Sequence, residues 1–295
     1  MKNDQLKDKK FKKLEAKLQK RQKNAQDLLW KNHAPSLCWL TENIPTKQLA
    51  AGALGGILLL SSPTMGSFPL TQTLTIGEKQ LSKFGQGVLL REDLAFEVPP
   101  KVRSLTPEEE KRIADTLSSF YNITVTAELD GKRLNRSYGI IGTEQHLYRY
   151  PGDQLYLHAS DAFEWSQFGR YGIAPGLGAW GYFSSSKSTF SGTEALREKY
   201  YIAVQTFLAP GFQENVAAYR DFFKYRKMLV INPLTGQAVV ADIADAGPAP
   251  WTGKQLGGSP EVMYYLGLSN KGKGPVLYFF IDDPLDKVPL GPLSL

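Results

Sequence analysis

Disulfides are excluded first: Cys38 is the only cysteine in 295 residues, so the chain has no internal disulfide framework. That absence leaves the compartment open, because many bacterial envelope proteins use no disulfides. Histidine is nearly as scarce. His33, His146 and His158 fall in no ligand-like spacing, which argues against zinc, and no metal or cofactor is expected. Nucleotide-binding glycine patterns are missing too; "GGSP" and "GLGAWG" lack the strand-to-helix context that a phosphate cradle needs.

Excess charge is missing from the body of the chain. The net charge is +6, but residues 1–31 hold eleven Lys/Arg against four Asp/Glu, or +7, which leaves −1 for everything after them. A basic tail on a near-neutral body fits a membrane-proximal or polyanion-binding arm, and no nucleic-acid partner is expected of the folded part. The tail reads as helix, with Leu6, Leu14, Leu18, Leu28 and Leu29 among Lys, Gln and Glu. Those leucines hold no heptad for three turns, so a solvated charged helix and a coiled-coil partner are both open.

Between Lys47 and Glu78 no charged residue occurs, and Leu49 to Leu60 is wholly apolar or glycine. With Ser, Thr and Pro at its margins the stretch reaches about 20 residues, enough to cross a bilayer, while its strict core of about 12 also suits a buried helix. The basic region ahead of it is too long for an ordinary signal peptide. The expected organisation is a basic helical arm at 1–43, a transmembrane anchor at 44–66, an α+β region at 78–170 and a barrel domain at 171–295. By the positive-inside rule the Lys-rich arm stays in the cytoplasm and the C-terminal region lies outside, as a single-pass protein of a bacterial cell membrane.

Within the α+β region, "SLTPEEEKRIADTLSSFYN" carries a cap at Ser104 or Thr106, Pro107 at the first helical position, three acids in the first turn, and Ile113, Leu117 and Phe120 on one face. The alternating run that follows reads as a hairpin turned at Asp130-Gly131. Tyr148, Tyr150, Tyr156 and Trp165 are expected to pack first and to serve as sugar platforms second. From Pro175 onward short strands are expected at "GAWGYFSS", "YIAVQTFL", "KMLVIN", "AVVADIAD" and "VLYFFID", with little helix apart from "SPEVMYYLGL". That spacing suggests a small barrel or sandwich.

The segment "INPLTGQAVVADIADAGP" holds two acids and then breaks at Gly247-Pro248. Strict alternation puts Asp245 on the face of Ile243 and turns Asp242 to solvent on the other. The pieces Asn232, Gly236, Asp245, Gly247, Pro248 and Lys254 resemble the signature of the rare lipoprotein A and expansin-like double-psi β-barrel family, over roughly residues 176–283. The resemblance implies a mainly β fold with a C-terminal double-psi barrel that engages peptidoglycan or another polysaccharide. It implies Asp245 as general acid of a lytic transglycosylase, with Trp180, Tyr182, Trp251, Lys254 and Asp242 contacting substrate. A non-catalytic expansin-like glycan binder and an envelope scaffold are the alternatives. An acid at a strand end under apolar neighbours keeps its proton, which suits a leaving glycosidic oxygen. The His and second Asp usual in active members are unmatched. Tyr201 and Gln205 cannot replace them, His146 and His158 read as structural, and Glu261 and Asp221 are the candidates for a second acid.

Overall fold

The computed structural model describes residues 90–293, all within one compact unit, Glu78–Leu295. The expected basic arm and membrane anchor lie outside the described residues. Among the described residues, no helix is long and apolar enough to cross a membrane.

The first long element is helix α1, Pro107–Tyr121. Its start is set by local chemistry. Thr106 accepts from the Glu109 N–H while the Glu109 carboxylate accepts from the Thr106 N–H, Pro107 loses no bond by lacking a donor, and three acids face the positive end of the helix. Asn122 ends it in the left-handed region. Strand β1 (Val125–Thr126) follows, then the hairpin β2 (Glu128–Leu129) and β3 (Lys132–Arg133), turned at Asp130-Gly131 with both residues at positive φ.

Six strands close into a barrel: β4 (Tyr138–Thr143), β5 (Tyr201–Val204), β6 (Lys227–Ile231), β7 (Ala238–Ala246), β8 (Leu256–Gly258) and β9 (Lys273–Ile281). Around the ring they run β4-β8-β5-β7-β6-β9 and back to β4. The β4/β8 and β5/β7 pairs are parallel and the other four antiparallel. Exchanging β4 with β7, β5 with β8 and β6 with β9 returns the same pairs with the same directions. The pairing therefore has two-fold symmetry. Because β4 is a stave, the barrel begins inside the stretch expected as a separate α+β region, not at 171. The long-range parallel pairing of β4 with β8 has no local sequence signal.

Alternate residues fill the interior: Ile141, Ile202, Val204, Met228, Val230, Val239, Ala241, Ile243, Leu256, Val276, Tyr278 and Phe280. Outside, Leu90 and Leu94 of the helical segment 90–97 and Ile113 and Leu117 of α1 pack on Leu229, Ile231, Val240, Leu277 and Phe279. Each such side chain, fully buried, contributes about 1.5–3 kcal/mol. Glu110 of α1 is buried as well: both its carboxylate oxygens accept from Arg133 Nη2, at 2.9 and 2.8 Å, and Oε1 also accepts from Ser137 Oγ at 2.7 Å.

Helices α2 (Ala162–Phe168), α3 (Gly192–Lys199), α4 (Val216–Phe223) and α5 (Pro260–Tyr265) fill the connections. Only α5 was expected, so the little-helix expectation is corrected: α3 starts on a Ser191–Glu194 capping box and α4 on an Asn215 cap. The expected strand "GAWGYFSS" does not form. Gly178 and Gly181 instead close a tight turn, in which the Gly181 N–H donates to the Gly178 carbonyl at 2.9 Å. Of the aromatics read as packing, Tyr150 is buried, whereas Tyr156 and Trp165 are exposed.

Candidate functional site

The break after β7 builds the candidate site. Between Ile202 and Ala203 the parallel register with β7 slips: Ile202 faces Ile243, but Ala203 faces Asp245. The extra residue, Ala244, is a bulge, and a bulge reverses the alternation beyond it. Ile202 and Val204 point into the barrel. Ala203 and its partner Asp245 therefore face outward, the same side as Asp242, which corrects the expectation that Asp245 shares the face of Ile243.

Ala203 also pairs with Gly257 of β8, and Gly257 with Gly142 of β4. One outward row thus runs Gly142, Gly257, Ala203, Asp245 across four neighbouring strands, about 4.8 Å apart at each step. Two glycines and an alanine leave this row bare, and other side chains lie on it. A Cβ on Gly257 would stand 2.3 Å from Glu144 Cγ, and one on Gly142 2.3 Å from Lys254 Cδ. Glu144 and Lys254 lie across the row and meet at 2.9 Å. Gly257, which Glu144 covers, stands two strands from Asp245 with Ala203 between, so the Glu144 carboxylate acts on Asp245 through its charge and not by contact.

Asp245 is held by the turn it touches. Its Oδ1 accepts the Ala179 N–H and the Ala246 N–H, both at 2.8 Å. The turn comes so close that a Cβ on Gly178 would lie 3.0 Å from the Ala244 carbonyl oxygen. Oδ2 has no protein partner among these bonds. Burial pushes the Asp245 carboxyl above the usual range, the two amides pull it back, and the charge of Glu144 pushes it up again. Gln205 closes the loop beyond, its amide donating to the Pro248 carbonyl at 2.9 Å and the Lys254 carbonyl at 3.2 Å. Tyr201 donates its hydroxyl to the Gln145 carbonyl.

The remaining expected site residues divide. Tyr182 is exposed, three residues after Ala179, and Trp251 is 88% exposed on the short turn Pro250–Thr252. Both are free platforms. Trp180 is not: it packs half-buried on the barrel core and donates its indole N–H to the Arg220 carbonyl at 3.3 Å. Asp242, expected to face solvent and contact substrate, is 1% exposed. Arg197 Nε stands 3.6 Å away, neither Asp242 carboxylate oxygen has a hydrogen-bond partner, and burial pushes its pKa well above the carboxylate range. Asp221 lines a 360 Å³ polar cavity with Arg197, Lys224 and Lys227, a cavity that does not include Asp245. Glu261 is buried in α5, its pKa pushed up to about 7 by desolvation, and it points to no contact with Asp245. The second acid at the site is Glu144, which sequence reasoning missed. Glycines inside strands, Gly142 and Gly257, were the available signal.

A second cluster gathers both described histidines. His146 Nδ1 lies 3.2 Å from Glu198 Oε1, and His158 Nδ1 lies 3.1 Å from Glu198 Oε2. The opposite nitrogens face His158 to Asp153 Oδ2 at 2.9 Å and His146 to the Phe168 carbonyl at 3.4 Å. Asp153 is itself held by Arg149 through its backbone N–H, Nε and Nη2. Burial works against charge on His158, but its bonds to Asp153 and Glu198 win and push it up to about 9. These are the side chains of the described residues able to hold a metal, with one ligand atom each within 4.8 Å of the others. Sequence spacing concealed them.

Compared with protein-family models, with curated proteins and with solved structures, the chain finds no match.

Proposed function

We propose that the barrel is a double-psi barrel of the rare lipoprotein A and expansin-like kind and that it engages glycan strands, peptidoglycan foremost, at the row ending in Asp245. The two-fold symmetry of strand pairing supports the topology, since two interlocked three-strand halves require it. The observation that carries the chemistry is Asp245 itself, a carboxyl partly desolvated and held through Oδ1 alone, with a second acid, Glu144, paired to Lys254 two strands along the same row and acting on it through charge. Two carboxyl groups in unlike surroundings are the arrangement that separates an acid from a carboxylate. Tyr182, three residues past the Ala179 that Asp245 holds, and Trp251, on the turn that follows the Gly247-Pro248 break, are exposed rings that would serve as faces for sugars.

In this reading protonated Asp245 gives its proton to the leaving glycosidic oxygen as the bond to the anomeric carbon breaks. A hydroxyl oxygen of the same sugar then bonds to that carbon, and its proton returns to Asp245, closing an anhydro ring without water. Glu144 keeps the Asp245 proton in place by like-charge repulsion. The Lys-rich arm and the apolar stretch at 44–66 support a membrane-anchored envelope protein with the barrel facing the wall.

The full chain incubated with purified cell-wall sacculi is expected to release soluble anhydro-muropeptides, and Asp245→Asn is expected to stop release while still pelleting with sacculi. Pelleting without release by the wild type would leave a glycan-binding module. Neither, by a folded chain, overturns the glycan reading.

A further inference from the structure

Away from the Asp245 row, the cluster of His146, His158 and Glu198 has the build of a metal site. His146 follows β4, His158 ends the short helical turn Leu155–Leu157, and Glu198 lies in α3, so three separate segments converge on one point. All three side chains are at most 4% exposed.

Both rings turn the same nitrogen inward. Each presents Nδ1 to a different oxygen of the Glu198 carboxylate, and each has Nε2 committed outward, His158 to a carboxylate and His146 to a backbone carbonyl. This is the outer support that metal-bound imidazoles have: the distal N–H donates to a carboxylate or carbonyl, which fixes the tautomer and leaves the inner lone pair to the ion. Asp153 is further braced by Arg149 and by the Gln154 N–H at 2.9 Å. With Nε2 as the donor on each ring, two nitrogen lone pairs and a carboxylate face one another, and only positive charge placed between them relieves the repulsion. Two Nδ1 protons do so, and so does one divalent ion, with no change in the total charge of the cluster.

The spacing suits the ion. Ligand atoms at about 2.0–2.2 Å from tetrahedral zinc stand about 3.3–3.5 Å apart. The two Nδ1-to-carboxylate separations, 3.2 and 3.1 Å, run to different oxygens of Glu198, and the three ligand atoms lie within 4.8 Å of one another, so an ion would draw the two imidazoles and the carboxylate inward onto itself. Glu261 Oε2 is buried without a hydrogen-bond partner, and its carboxyl feels the charges of His146, Glu198 and Lys199.

We propose that His146 Nδ1, His158 Nδ1 and the Glu198 carboxylate bind one divalent transition-metal ion of the zinc class, leaving a fourth position for water. Two imidazoles and one carboxylate, with no thiolate, favour zinc or cobalt over calcium and magnesium.

The test uses the full chain, stripped with chelator and shown by circular dichroism to be folded, then titrated with zinc chloride by calorimetry and with cobalt(II) by visible absorption. One equivalent is expected to bind with a dissociation constant below about 1 μM, with a cobalt spectrum of tetrahedral or five-coordinate type and a raised Tm. His158→Gln, which can still bond Asp153, and Glu198→Gln are each expected to weaken binding at least tenfold. A folded wild type that takes up neither metal overturns the proposal. So does full-strength binding retained in both variants, which would put the ion elsewhere on the chain.

Discussion

The Asp245 Oδ1 atom accepts the backbone N–H of Ala179, 66 positions earlier in the chain, at 2.8 Å. Oδ1 fastens the Gly178–Gly181 turn to the end of β7, and in the proposed mechanism the other oxygen carries the proton, so one carboxyl group would do two jobs. The two jobs separate by substitution. Asp245→Asn keeps an acceptor for both amides and loses the titrating proton, so the fold is expected to hold while turnover on sacculi falls 100-fold or more. Asp245→Ala strands two amides as well and is expected to cost a further 1–3 kcal/mol, roughly, read as a lower Tm.

The pH profile follows from the direction of the Asp245 shift. In the proposed mechanism its working form is the protonated one, and burial, with a smaller push from Glu144, raises its pKa above the ordinary range of an aspartate. Turnover is therefore expected to be lost as pH rises through that raised value. In Glu144→Gln the repelling charge is gone and Lys254 is released, both of which favour ionised Asp245, so the alkaline limb is expected to move to lower pH. A limb that stays put in initial-rate measurements would separate Glu144 from the chemistry.

Asp242 tests the opposite sense of burial, on stability. Its folded pKa is raised, so the native state holds a proton that the unfolded chain releases above about pH 4. Stability from this residue is therefore lost as pH rises from the unfolded value toward the folded one. Asp242→Asn is expected to raise stability by about 1–2 kcal/mol at pH 7 and by nothing measurable at pH 3.5, where both side chains are neutral. Urea unfolding at the two pH values reads the difference.

Two ion pairs on α1 are expected to behave unlike each other. Glu110 is buried against Arg133 and Ser137, so Glu110→Ala leaves a guanidinium without its partner and is expected to cost about 3–5 kcal/mol. The Arg103 end of the Arg103–Glu109 pair is solvent-exposed, so Arg103→Ala is expected to lower the Tm much less than Glu110→Ala. Thermal unfolding of the two variants side by side settles the order.

Local chemistry was legible in the sequence wherever it acts within a few residues. The Thr106 cap with Glu109, the Asp130-Gly131 turn and the Ser259-Pro260 start of α5 all form as their spacing predicts. What failed to read was anything set by distant partners. Asp245 faces the other way because a bulge at Ala244, fixed by pairing with β5, breaks the alternation that a strand pattern assumes. Glu144 gave no sign because it meets Lys254 110 positions later, across glycines whose role shows only once β4 and β8 lie side by side. The resemblance implies Trp180 as a substrate contact on a strand, yet its segment turns tightly at Gly178–Gly181 instead and Trp180 packs on the core. His146, His158 and Glu198 come from three segments with no common motif, so their meeting was invisible.

The two longest staves, β7 and β9, each span nine residues, far more than their short neighbours β5 and β4 can cover. The surplus is capped: β10 (Gly291–Leu293) lies along the first residues of β7, and β1 along the last of β9. Main-chain donors and acceptors that would otherwise face outward are thus used up inside the molecule, leaving rims only two or three residues long. Among the described residues, the outer strands β1 and β10 offer a visiting peptide a ladder of only two or three residues. Whatever this barrel meets, the described surface must greet through its side chains and turns, which suits a ligand that brings hydroxyls and ring faces but no strand of its own.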